Sequence, residues 1–330
     1  MKILFIGGTG VLSSACTHGV CARGDDLTLL NRGLTSRPIS AQTRLLRADY
    51  RDRDQTRQLL KSHQFDIVVN WIAFTPEDVE FDMSCFRGRV AQYVFISSAS
   101  AYQKPPRKLP VTENTPLDNP FWEYSRQKIA CEQRLQQAYQ AQGFPVTIVR
   151  PSHTYDRTMI PIHGGYTIID RMRKGKKVVI HGDGTSLWTL THNLDFAQGF
   201  IGLLGNQKAV GETFHITSDE FPMWDQICEW LARAAGVEPK IVHIPSEFIT
   251  RFDPDWGDSL LGDKRYSMIF DNSKIKKFVP DFKPEISFRD GAKEIVQWYD
   301  ENSNRQVVNN DYNKLLDRMI VSFESLSAKL

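Results

Sequence analysis

The sequence predicts an α/β fold in which a doubly wound parallel sheet is followed by a smaller C-terminal region. Two observations predict the sheet: short, nearly continuous apolar runs alternate with longer helical patterns, and a glycine-rich turn directly follows the first run. Such runs are typical of strands that are buried on both faces of a parallel sheet. Hydrophobic residues make up 41% of the chain and charged residues 24%, which is typical of a folded globular protein.

The predicted strands are separated by segments long enough for crossover helices. They span residues 2–7, 27–31, 44–48, 66–72, 92–98 and 145–150, with a later one at 177–181. Helical periodicity is present at 224–235 and 291–299. A final apolar stripe predicts a helix that packs against the body of the protein, with a partner interface as the alternative; it consists of Leu315, Leu316, Met319, Ile320, Phe323 and Leu326.

Charge, cysteine content and hydropathy exclude several classes of function. The formal net charge of +2 is too small for a general attraction to nucleic acid or to an anionic membrane. The five cysteines are scattered without metal-ligand spacing, so we expect reduced, buried thiols and no metal site. Glycines interrupt the N-terminal apolar run too early for a signal peptide, and no stretch reaches the roughly 18 apolar residues of a membrane helix. We therefore expect a cytoplasmic protein without membrane contact.

The first turn has the composition of a phosphate-binding turn. It reads Gly7-Gly8-Thr9-Gly10-Val11-Leu12-Ser13 and lies between a predicted strand and a predicted helix. Glycines at this place let backbone N–H groups and the positive end of the helix approach a pyrophosphate. Ser13 stands where a third glycine is usual, so an ordinary turn is the alternative.

Three further residues are candidates for chemistry. Tyr124 and Lys128 are four residues apart in a helical pattern and share one face, where the ammonium would shift the pKa of the phenol from about 10 towards neutrality. Ser98 ends a buried strand at the edge where open α/β sheets bind ligands, so it can hydrogen-bond a substrate oxygen. The structural alternatives are an exposed helix pair and a strand-end cap.

Together these motifs resemble the extended short-chain dehydrogenase/reductases, a family of nucleotide-sugar epimerases and dehydratases with a Rossmann fold. The resemblance extends over nearly the whole chain. It also includes Asp49, Ser97, Tyr102, Glu113 to Pro116, Arg150-Pro151, Gly182 to Gly184, Asp195 to Ala197, Asp271 to Lys274 and Trp298.

The resemblance implies roles for individual residues. Ser98 polarises the reacting oxygen, Tyr124 transfers the proton, and Lys128 both tunes Tyr124 and binds the nicotinamide ribose. The implied cofactor contacts are Gly7, Thr9, Gly10, Val11, Leu12, Asn31, Arg32, Asp49, Tyr50, Ile72, Lys128 and Pro151. Asn31 and Arg32 stand where an acidic residue often binds the ribose, and arginine accommodates a 2′-phosphate, so NADP is slightly favoured over NAD.

Departures from the family pattern concern the substrate. Ala99 and Ser100 follow Ser98 where dehydratases have an acidic pair, and Trp188 stands where a phosphate-binding arginine is frequent. Lys264 or Arg265 are candidates to replace that arginine. His153, with an ordinary pKa near 6.5, is a candidate substrate contact and second acid or base. The predicted substrate contacts are Ser100, His153, Trp188, Lys264 and Arg265.

The predicted organisation is an NAD(P)-binding Rossmann domain over 1–155, with 183–217 returning to it, and a smaller substrate-binding region over 156–182 and 218–330. The predicted function is epimerisation or reduction, by hydride transfer, of a carbonyl or secondary alcohol on a nucleotide sugar or similar polar metabolite. A homodimer is a further expectation. The alternative is an atypical member that binds RNA or regulates through a bound nucleotide, with Lys104, Arg107, Lys108 and the basic segment 171–177 on the phosphates.

Overall fold

The computed structural model describes residues 1–35 and 37–327. Within these residues the chain forms eleven strands: β1 (Lys2–Ile6), β2 (Asp26–Asn31), β3 (Arg44–Arg47), β4 (Ile67–Asn70), β5 (Gln92–Ile96), β6 (Val146–Pro151), β7 (His153–Tyr155), β8 (Lys177–His181), β9 (Leu190–His192), β10 (Thr213–Ile216) and β11 (Lys240–Ile244). The same residues form twelve α-helices: α1 (Val11–Ala22), α2 (Arg53–Lys61), α3 (Pro76–Phe86), α4 (Glu123–Gln142), α5 (Tyr166–Arg173), α6 (Asn193–Leu203), α7 (Trp224–Ala234), α8 (Ser246–Ile249), α9 (Pro254–Ser259), α10 (Ser273–Phe278), α11 (Phe288–Asp300) and α12 (Asn310–Ser327).

Seven strands form one sheet in the order β10-β6-β5-β4-β1-β2-β3, and every neighbouring pair is parallel. The chain runs outward from β1 through β2 and β3, and then returns to the other side of β1 through β4. This confirms the predicted doubly wound parallel sheet. The change of direction between β1 and β4 creates a crevice at the carboxyl ends of the strands, which is where sheets of this kind bind ligands.

Apolar layers cover both faces of the sheet. Ile3 and Phe5 of β1 pack in a cluster with α1 and α6, whereas Leu4 and Ile6 pack in a second cluster with α2, α3 and α4. Because both faces are covered, all four residues are fully buried and the strand lacks an alternation of apolar and polar side chains.

A third apolar cluster joins the elements outside the main sheet. It includes residues of α5, α7, α11 and α12 and of the two-stranded sheet formed by β8 and β11. Leu316 and Met319 of α12 are fully buried in this cluster, so packing of the C-terminal stripe against the body is confirmed. Leu326 is 51% exposed, and its predicted place in that contact is wrong. The division into two domains stays a prediction.

The predicted strands were correctly placed but too long at the edge that binds ligands. β1 ends at Ile6, β4 ends at Asn70 and β5 ends at Ile96, each two residues or fewer before the predicted end. The residues that follow leave the sheet to build the turns of the site. Four strands, β7, β9, β10 and β11, were not predicted; β7 and β9 have only three residues each, too few to show a periodicity.

The burial of the cysteines and the hydropathy of the helices agree with what the sequence predicts. All five cysteines are buried and free, and burial raises the pKa of Cys16, Cys85, Cys131 and Cys228. In the described part of the chain, no helix combines the length and the apolarity that crossing a membrane requires.

A buried ion pair fixes α4 to the sheet. The Arg150 Nη2 of β6 donates to Glu132 Oε2 of α4 at 2.5 Å, and the two side chains are 3% and 0% exposed. Ser97, which follows β5, donates its hydroxyl to Glu132 Oε1 at 2.5 Å. One carboxylate therefore joins α4 to the ends of two neighbouring strands.

Removal of the Glu132 charge should strongly destabilise the protein. In Glu132→Gln the Arg150 guanidinium stays buried without its counter-ion, so we expect the free energy of unfolding to fall by about 3–5 kcal/mol in urea denaturation. The control is Glu229→Gln, whose partner Arg233 lies one helical turn away on an exposed surface. That variant should lose less than about 0.5 kcal/mol. Similar losses in both variants would contradict the anchoring role of Glu132.

Candidate active site

A cavity of about 330 Å³ opens at the carboxyl ends of β5 and β6. Its walls bring together Ser98 and Tyr124 with four of the five predicted substrate contacts, namely Ser100, His153, Trp188 and Lys264. Arg265 does not line the cavity; its guanidinium pairs with Glu247 at 2.6 Å, so it is not placed to hold a substrate there. Lining residues that the sequence did not reveal include Trp122, Asp263, Met268 and Phe270.

The hydroxyl of Ser98 belongs to a chain of hydrogen bonds. Its Oγ accepts from the Ser100 N–H at 3.1 Å and lies 2.9 Å from the Ser100 Oγ. Ser125 of α4 donates to the Ser100 Oγ at 2.8 Å, which leaves the Ser100 proton free to point to Ser98. Ser98 then keeps its own proton for a group in the cavity.

Tyr124 lies in the first turn of α4, with its ring 4.9 Å from that of Trp122. Burial raises its pKa to about 12, a hydrogen bond with Ser98 acts to lower it, and Asp263 raises it further. This shift is opposite in direction to the one expected from the pairing with Lys128. The phenol is therefore protonated at neutral pH.

Lys128 is buried beneath the site, 1% exposed. Its Nζ donates to the carbonyl oxygens of Ala73 and Ile96, both at 2.7 Å, and lies 4.6 Å from the centre of the Phe74 ring. Burial lowers its pKa to about 8. The ammonium is 5.8 Å from the centre of the Tyr124 ring and donates to the two carbonyls, and the burial of Tyr124 determines the direction of its pKa shift.

His153 has a fixed tautomer. The indole N–H of Trp188, which can only donate, points to His153 Nδ1 at 3.1 Å, so the ring proton is on Nε2. Burial and the nearby Lys264 charge lower the pKa of His153 to about 3. The ring is neutral at physiological pH, so the predicted acid–base role is not supported. Within the described residues, no group of His, Cys, Asp or Glu side chains is arranged to hold a metal ion.

The glycine turn is closed by a side chain of its own helix. The backbone N–H of Gly10, which is the N-cap of α1, donates to Ser13 Oγ at 2.9 Å. Gly7 has a φ of 96°, and a Cβ there would lie 3.2 Å from Cγ2 of Ile72, which comes two residues after the end of β4. The turn thus lies flat in the crevice between β1 and β4, with the unpaired first N–H groups of α1 beside it. This cradle fits a dinucleotide pyrophosphate.

The other predicted cofactor contacts surround the same crevice but differ in what they can offer. Asn31 Oδ1 accepts from the Gly33 N–H at 2.9 Å, and Arg32 beside it is exposed. Asp49 is exposed, whereas the Tyr50 hydroxyl is buried and donates to Asp82 Oδ1 at 2.9 Å. Tyr50 can therefore contribute only its backbone. Thr9, Val11, Leu12 and Ile72 are half-buried around the turn, and Pro151 lines the cavity.

Residues 3–217 match the sequence profile of the NAD dependent epimerase/dehydratase family. The chain belongs to this family. This confirms the resemblance to the extended short-chain dehydrogenase/reductases, and with it the predicted Rossmann fold and the class of enzyme.

Individual relatives of this chain are distant in sequence. The chloroplast stem-loop binding protein of 41 kDa b from Arabidopsis thaliana is 27% identical over 97% of this chain and 84% of its own length. The 2′-dehydrokanamycin reductase of Streptomyces kanamyceticus is 23% identical over 90% and 84%, respectively. The structure of UDP-glucose 4-epimerase from Bifidobacterium longum in complex with NAD+ and UDP has a TM-score of 0.75 at 18% identity, over 92% of this chain and 100% of that one.

The buried neutral His153 should make the stability of the protein depend on pH. The folded pKa of about 3 lies below the unfolded value of about 6.5, so between pH 7.5 and 5 only the unfolded state takes up this proton. We expect His153 to lower the free energy of unfolding by about 2 kcal/mol over that range.

Urea denaturation at both pH values checks this expectation. In His153→Gln this part of the pH dependence should be absent, while His18→Gln, at an exposed position of α1, should keep it. Equal pH dependence in all three proteins would show that His153 titrates near its ordinary pKa.

Proposed function

We propose that the protein is an NAD(P)-dependent epimerase or reductase that acts by hydride transfer on a carbonyl or secondary alcohol of a nucleotide sugar or a similar polar metabolite. The observation that carries the proposal is the convergence of Ser98 and Tyr124 on one cavity, at the edge of the sheet where the glycine turn lies. The Bifidobacterium longum structure with NAD+ and UDP, which has the same fold, supports a nicotinamide cofactor and a nucleotide-sugar type of substrate.

Tyr124 and Ser98 act together on the reacting oxygen. The cofactor, when bound, supplies or accepts the hydride. A phenol that is protonated at neutral pH donates its proton to the alkoxide that forms as a carbonyl is reduced. Ser98, whose proton is not used by Ser100, stabilises the same oxygen by a second hydrogen bond.

Lys128 joins the backbone beneath the site to α4. Its carbonyl partners, Ala73 after β4 and Ile96 at the end of β5, tie α4 to both strands, and one ammonium proton remains for a ribose hydroxyl of the cofactor. A dehydratase activity is not part of the proposal, because the positions after Ser98 hold a buried alanine and a serine whose hydroxyl is already bonded to Ser125.

The RNA-binding alternative is not favoured. It drew on basic residues, yet Lys104 is buried and pairs with Asp263, and Arg171 is buried and pairs with Asp317. The remaining cations of 171–177 each pair with a carboxylate as well: Arg173 with Asp300, Lys174 with Asp170, Lys176 with Asp317 and Lys177 with Glu324. The name of the Arabidopsis relative is the observation in its favour. A homodimer and a cytoplasmic location stay predictions.

Removal of one hydroxyl tests the catalytic assignment. Tyr124→Phe should keep the fold and cofactor affinity and lower turnover by about 10²- to 10⁴-fold, the effect of losing a general acid. The control is Tyr139→Phe on the same helix, whose ring is 39% exposed. Full activity in Tyr124→Phe, measured with a substrate that the intact protein turns over, would remove Tyr124 from the mechanism.

Arg32 should favour NADP over NAD. Asn31 is engaged with Gly33, so the exposed Arg32 and its neighbour Arg47, which borders Gly33, are the groups available to a 2′-phosphate. Arg32→Ala should weaken NADP at least tenfold in calorimetric titrations and leave NAD unchanged. Arg44→Ala, at the opposite end of β3, is the control. A tenfold preference of the intact protein for NAD would contradict this choice of cofactor.

A further inference from the structure

Two cavities adjoin at one pair of side chains. A second cavity, of about 300 Å³, lies beside the first, and His153 and Lys264 line both. The walls of the second cavity are largely apolar or aromatic and include Ile160, Trp224, Trp256 and Leu260. A ligand with its reacting group at Tyr124 therefore extends past His153 and Lys264 before it reaches this apolar space.

The ammonium of Lys264 has no hydrogen bond and no ion pair with any residue that the structure describes. Its nearest aromatic partner is the Trp122 ring, whose centre is 5.4 Å from Nζ. The backbone at Lys264 is held firmly, because its carbonyl accepts from Trp224 Nε1 at 3.2 Å and lies 2.9 Å from His181 Nε2. The side chain thus presents an unpaired cation to the cavities from a fixed position.

The charges around Lys264 compensate for this cation only in part, because burial lowers its pKa and the charge of Asp263 acts to raise it. Asp263 is the single carboxylate among the lining residues, and Lys104, buried behind it, pairs with its Oδ1 at 2.8 Å. Burial lowers the pKa of all three lining histidines, to about 3 for His153 and about 4 for His181. The walls of the two cavities therefore hold one unneutralised positive charge.

His153 adds a second unpaired donor at the same place. Because Trp188 occupies Nδ1, the proton of the neutral ring is on Nε2, for which no described residue is the acceptor. The Lys264 charge acts on this ring, which shows that the two groups are close. Two donors with no acceptor of their own, in walls with one excess positive charge, are what an anionic oxygen group requires.

We propose that Lys264 and His153 form an anion site for a single carboxylate or phosphate-ester group of the substrate. The inference rests on the proposed function, which places the reacting carbon at Ser98 and Tyr124, and it narrows the substrate class. A nucleoside diphosphate brings two neighbouring phosphates, whereas the walls offer one unpaired cation. The substrate is thus a polar alcohol or carbonyl compound with one acidic group, and its remaining part lies in the apolar second cavity.

Tryptophan fluorescence can test the site, because Trp122, Trp188 and Trp224 line the cavities. The probes are D-glucose, D-glucuronate, D-glucose 6-phosphate and UDP-glucose, each titrated into the full chain in the presence of NADP. We expect at least one of the two singly acidic sugars to bind tenfold or more tightly than glucose and more tightly than UDP-glucose. Which one it is distinguishes carboxylate from phosphate.

Substitutions then locate the effect. Lys264→Met should abolish the preference for the acidic sugar, Lys264→Arg should restore most of it, and Lys208→Met, an exposed lysine outside both cavities, should leave it unchanged. The proposal is overturned if neither acidic sugar binds better than glucose, if UDP-glucose binds best, or if Lys264→Met keeps the preference.

The anion site and the proposed function can fail independently of each other. If Lys264→Met abolishes the preference for the acidic sugar, the anion site is supported whether or not hydride transfer is found. A failure to find hydride transfer would count only against the proposed function. Conversely, suppose that a substrate is turned over with dependence on Tyr124 and that Lys264→Met leaves its KM unchanged. The proposed function then stands and the anion site is overturned.

Discussion

The geometry of the site depends on the buried carboxylate of Glu132. It receives the guanidinium of Arg150 from β6 and the hydroxyl of Ser97 from the end of β5, while it is itself part of α4. Lys128 and Tyr124 lie about one and two helical turns before it, and Ser98 comes directly after Ser97. The relative position of the two hydroxyls in the cavity is therefore set by one ionic contact that water cannot reach, and whose loss would leave a charge unpaired in the interior.

Burial, more than charge, sets the protonation states around the cavity. Tyr124 is shifted upwards and Lys128 and His153 downwards, and in each case removal from water is the largest cause. All three shifts favour the uncharged form. Tyr124 and His153 are therefore neutral at physiological pH, whereas Lys128, with a pKa of about 8, stays mostly protonated, and burial also lowers the pKa of the half-buried Lys264.

The sequence was sufficient for six of the seven strands of the main sheet and for Ser98, Tyr124 and four of the five predicted substrate contacts, but not for their electrostatics. Apolar runs predict buried strands because Ile3 to Ile6 of β1 are all buried, whichever face of the sheet they are on, and the four-residue spacing places Tyr124 and Lys128 on one face. The direction of the Tyr124 pKa shift depends on its burial and on the nearby Ser98 and Asp263, and these are known only from the structure. The sequence alone indicates that the cations of 171–177 are free to bind phosphates, because their partners Asp300, Asp317 and Glu324 are more than 120 residues away in the chain.

The hydrogen bond from Gly10 to Ser13 has a consequence for how the turn meets a ligand. Since a side chain of α1 already satisfies this N–H, the turn has its final shape as part of the folded protein and is not ordered by the molecule that it receives. Ordering a backbone residue costs roughly 1–2 kcal/mol, so a preorganised turn spares that loss of entropy at the moment of association. Ser13, in place of the third glycine, thus makes the turn more rigid. The affinity of the turn for a ligand is then determined by its contacts, with little entropy lost in ordering the loop.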